Sequence, residues 1–115
     1  MVKNNLTVDF TDDEGTNVLS YIVKKANVAA KARSIRLSKA IQESDKTEDE
    51  KGILFSCLAL ASSLHNKDGE LAFPDDDAAE TIMNTMDAEV FDVLVMSHLE
   101  VNPIEPSLTA KKKRS

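Results

Sequence analysis

The chain has no tryptophan, a single cysteine (Cys57), three glycines, three prolines and an aromatic content of 4%. Each scarcity excludes something. One thiol cannot build an internal disulfide framework. So few turn formers count against a sandwich or barrel, which need many tight reversals, and they favour helices. Few aromatics leave little on which to stack single-stranded bases. The apolar run Ile53 to Leu64 is about 12 residues, short of the roughly 20 that cross a bilayer. The opening MVKNNLTVDF has no long apolar stretch of the signal-peptide kind. A cytoplasmic protein with no membrane partner is the expectation.

What is present is aliphatic and charged. Hydrophobic residues make up 42% of the 115, and charged residues 30%. That is enough to bury the core of one domain. The expected organisation is one helical domain over 1–102 and a flexible basic tail over 103–115. The net charge of −6 (14 basic, 20 acidic) argues against nucleic acid as a partner.

The charge is unevenly spread. Between Gly15 and Gln42 there is no acid but six bases: Lys24, Lys25, Lys31, Arg33, Arg36 and Lys39. From Asn66 to Glu105 one base, Lys67, stands against eleven acids. Lys111, Lys112, Lys113 and Arg114 make the end basic again. Such segregation predicts that opposite faces meet, within the chain or between copies. Self-association of this kind weakens as salt screens it.

Apolar spacing predicts a mainly α fold of about four helices with at most one short N-terminal strand or hairpin. NLTVDF (Asn5 to Phe10) alternates Leu6, Val8 and Phe10 as a strand would. Thr11-Asp12-Asp13-Glu14 has capping-box spacing and is expected to open a long helix from about Asp12 to Glu43. That helix would carry a main apolar stripe and a second one through Tyr21, Val28, Ala32 and Ile35. Thr47 to Glu50 is a second capping box, before an all-round apolar core helix from Glu48 to about Leu64. Asp68-Gly69 signals a turn. Pro74 and the acids Asp75, Asp76 and Asp77 suit a helix start, and Asp87 suits the N-cap of a last helix ending near Val101.

No chemistry-bearing constellation emerges. Cys57 and His65 are too far apart on one helix to share a metal, no acidic run fits a calcium loop, and no nucleophile or phosphate-loop motif occurs. A non-enzymatic protein with no catalytic, cofactor-binding or metal-ligating residue and no cofactor is expected.

The run Leu54 to Asn102 resembles the small tail assembly chaperones of long-tailed bacteriophages of the siphovirus type. The resemblance is carried by an apolar helix and the turn His65-Asn66-Lys67-Asp68-Gly69-Glu70. After these come Leu71-Ala72-Phe73, the acidic start Pro74-Asp75-Asp76-Asp77, and a helix closing with Leu99-Glu100-Val101-Asn102. It implies a protein that binds the tape measure protein, keeps it soluble and helps the tail tube protein assemble around it, without entering the mature virion. It also implies a longer form made by ribosomal frameshifting, for which Lys111-Lys112-Lys113 is the candidate region. The candidate interaction residues are Tyr21, Val28 and Ile35, with Lys24, Lys31 and Arg36 beside them. A second reading is a small acidic helical adaptor that binds a basic protein. A third, a DNA-binding regulator using the basic stretch, lacks a helix-turn-helix pattern.

Overall fold

The computed structural model describes residues 5–103. The expected tail beyond Pro103, with Lys111, Lys112 and Lys113, lies outside the described residues. The element order is β1 (Asn5–Thr11), β2 (Asn17–Lys24), α1 (Val28–Gln42), α2 (Glu48–Ser63), β3 (Leu64–His65), α3 (Ala78–Thr85) and α4 (Ala88–Val101). The three strands form one antiparallel sheet in the order β1-β2-β3. The fold is therefore α+β, and the expectation of a mainly α protein is corrected.

The correction centres on residues 11–27. The long helix expected from Asp12 to Glu43 is a hairpin strand followed by a shorter helix. Thr11 ends β1 rather than capping a helix. Asp12 makes the reversal: its Oδ1 accepts from the Glu14 and Thr16 amides at 2.9 and 3.0 Å. Its own amide donates to the Thr16 carbonyl, and the Gly15 amide donates to the Asp12 carbonyl, both at 3.0 Å. Gly15 sits at φ +81°, a conformation glycine takes without a Cβ clash. This side-chain turn competes for the same groups that a capping box would use.

The hairpin register pairs Leu6 with Val23, Val8 with Tyr21 and Phe10 with Leu19. One side of the sheet is therefore apolar. Helix α1 begins only at Val28, where the Asn27 side chain caps it by accepting from the Ala30 amide at 2.8 Å.

The later elements follow the sequence reading more closely. Thr47 caps α2 by accepting from the Glu50 amide at 3.2 Å, and three acids fill the positive first turn. Asp87 caps α4 by accepting from the Glu89 and Val90 amides. The turn at Asp68-Gly69 forms, with Gly69 at φ +86° and Asn66 Oδ1 accepting from the Asp68 and Glu70 amides. His65 belongs to β3 rather than to α2.

The core has two parts. Leu37 and Ile41 of α1 meet Leu54, Cys57, Leu58 and Ala61 of α2 and Ala78, Ala79 and Ile82 of α3. Val23, Leu60, Leu64, Leu94 and Val101 form the other part, against which Leu6, Val8 and Phe10 pack. Phe73, Met86 and Phe91 touch both. Helix α2 contributes to each side, as its all-round apolar sequence requires.

The segregated charges meet within the chain between α1 and the segment ahead of α3. Arg36 on α1 pairs with Asp76 ahead of α3 at 3.1 Å. Beside it, Arg33 Nη2 donates to the carbonyls of Phe73 and Asp75, both at 2.8 Å.

Candidate functional site: an apolar groove between helices α1 and α2

Helices α1 and α2 pack together at their Leu37/Ile41 and Leu54/Leu58 ends. Toward the N-terminus of α1 a groove of about 720 Å³ runs along both. Helix α1 lines it with Val28, Ala30, Lys31, Ser34, Ile35 and Ser38, which share one face at helical spacing. Helix α2 supplies Phe55, Leu58, Ala59 and Ser62, and the end of α4 supplies His98 and Asn102. Val28 is 84% exposed and Ile35 53% exposed. Large aliphatic side chains held this open cost hydration free energy, which a partner's apolar surface would offset.

Asn102 fixes one end of the groove. Its Oδ1 accepts from the Ala26 amide at 2.7 Å, and its Nδ2 donates to the Lys24 carbonyl at 3.2 Å. The β2–α1 connection is thereby tied to the end of α4. His98 is set by Ser63, whose Oγ lies 2.7 Å from His98 Nδ1. The Ser63 hydroxyl also donates to the Leu60 carbonyl at 3.1 Å. Burial holds the His98 pKa below its ordinary value.

The sequence-derived interaction residues do not form one stripe. Val28, Ile35 and Lys31 line the groove. Tyr21 is on β2, half-buried against Phe73 with ring centroids 6.5 Å apart, and burial raises its phenol pKa. Lys24 ends β2 and reaches the Gly69 carbonyl at 3.4 Å. Arg36 is engaged with Asp76, whose carboxylate raises the Arg36 pKa and is itself lowered in return. The sequence reading missed Phe55, Ala59, Ser62, His98 and Asn102. The signal for α2 was there, since Phe55, Ala59 and Ser62 recur at spacings of four and three.

The nucleophilic side chains of Ser63 and Cys57 are shielded. Ser63 is fully buried beside His98, so its hydroxyl is closed to substrate. Cys57 is buried and its thiol pKa is raised, which keeps it protonated. Among the described residues no group of three or more His, Cys, Asp or Glu side chains could hold a metal ion. None of the described helices is long and apolar enough to cross a membrane.

No family model and no curated protein matches the chain. Among solved structures, the tail assembly chaperone of bacteriophage HK97 matches at 15% identity with a TM-score of 0.58, over 84% of this chain and 83% of that one. The chain thus shares the fold of that phage tail assembly chaperone over most of both chains.

Proposed function

We propose that the chain is a non-enzymatic tail assembly chaperone of a long-tailed phage, which binds the tape measure protein and promotes assembly of the tail tube around it. The observation that carries this reading is the fold shared with the HK97 chaperone over most of both chains. The groove supplies a physical means. A client rich in apolar helical faces can lay one of them between α1 and α2, against Val28, Ile35, Phe55 and Ala59. Lys31 on the wall and Lys24 near the groove's end add positive charge. Tyr21 and Arg36 already have partners within the chain, so the weight falls on Val28, Ile35 and Lys31.

Two finer parts belong to the same proposal. Copies associate through charged faces, so the assembly loosens as salt rises. A longer product arises by frameshifting in an A-rich codon run at Lys111-Lys112-Lys113, and a gene with mixed codons there and no slippery heptamer removes that part.

The test is co-expression with a tape measure protein, the proposed client. That protein should stay soluble and co-purify with this chain. Equal precipitation with and without the chain rules the proposal out.

A further inference from the structure

The groove continues past the first turn of α1. Ala26, Asn27, Ala30 and Ser62 line it and also line an adjoining cavity of about 380 Å³. Lys24, Lys25, Arg33 and His65 wall that second space. Neither lining contains an acid, although the chain carries 20 acids and 14 bases. Counting Lys31, four cations therefore border the two adjoining spaces, with no carboxylate in either lining. Arg33 adds an independent sign. Its Nη2 is satisfied by two carbonyls, but its Nη1 is buried with no hydrogen-bond partner. A buried guanidinium nitrogen left this way is costly, and nearby negative charge would offset it. The carboxylate of Asp76, close enough to sense Arg33, is already forked by Arg36.

We infer that groove and cavity form one bipartite site for an acidic amphipathic helix. The helix's apolar face fills the groove, and its carboxylates sit against Lys24, Lys25 and Arg33. The inference rests on the reading of the groove as a client site and adds the client's chemistry. Apolar burial supplies affinity, while the cations select the segment and set its direction. A basic or neutral helix of equal hydrophobicity gains only the first part.

Two synthetic peptides test this against the full chain by fluorescence titration. They share one leucine–alanine face and differ only in glutamates or glutamines in the first turn. The glutamate peptide should bind roughly tenfold tighter at low salt. That margin should shrink at high salt, and shrink likewise in the Lys24→Gln/Lys25→Gln variant. Should that variant fold poorly, the glutamate–glutamine margin and its salt dependence in the unaltered chain decide alone. Equal affinity for both peptides overturns the bipartite site and leaves the groove reading standing. Binding of neither overturns both. Uptake of peptide only on dilution that disperses a self-associated form overturns it too, because a second copy then fills the groove.

Discussion

The Ser63 hydroxyl and the His98 ring lie 2.7 Å apart and join the end of α2 to the last turn of α4, at one wall of the groove. Burial of the ring there makes stability depend on pH. Burial lowers the His98 pKa from the ordinary 6.5, so the unfolded chain binds this proton more readily than the folded one. His98 therefore contributes fully above about pH 6.5, and its contribution falls as acidification passes from that value toward the lowered one. Chemical unfolding between pH 7.5 and pH 5 should show this loss, and His98→Gln should flatten it. Asp76 acts in a separate window, because its pKa is lowered by Arg36 and its effect appears only at more acidic pH. A variant with the unaltered slope would show that His98 is not the group responsible.

Replacing Gly15 tests the hairpin turn. A Cβ there meets nothing within 4 Å, so crowding plays no part, but φ is +81°. Gly15→Ala should cost about 1–2 kcal/mol through backbone strain alone, measured by urea unfolding. An unchanged midpoint would contradict the turn.

Whether α4 anchors the sheet is tested by Leu94→Ala. Leu94 is fully buried among Val23, Leu60, Leu64 and Val101. Its truncation should cost about 3 kcal/mol. Met96→Ala, on the exposed face of the same helix, should stay within about 0.5 kcal/mol.

Much of this was legible in the sequence wherever one signal dominated. Thr47 and Asp87 cap the helices they were expected to cap, and Asp68-Gly69 turns. The N-terminal third failed because two periods coexist there. Val18, Leu19, Ile22 and Val23 fit a helical face, while Leu19, Tyr21 and Val23 fit alternation. The β-branched residues, Gly15 and the N-cap Asn27 were the deciding signals for strand, turn and a later helix start. The groove was half legible. Val28, Lys31 and Ile35 share a helical face, but His98 and Asn102 reach it only through tertiary packing that no local pattern encodes.

Exposure makes the groove separable from folding. Val28 opens α1, where an aspartate also suits the helix dipole, and Ile35 is more than half exposed. Val28→Asp/Ile35→Asp should change stability by no more than about 1 kcal/mol, read from thermal unfolding. A collapse of the fold would mean that these side chains serve the core.

The most direct measurement is retention of the proposed tape measure client by this chain and by Val28→Asp/Ile35→Asp, at matched folding. The unaltered chain should hold the client, and the variant should lose it by about tenfold or more in affinity. Equal retention by both would contradict the groove as the client site.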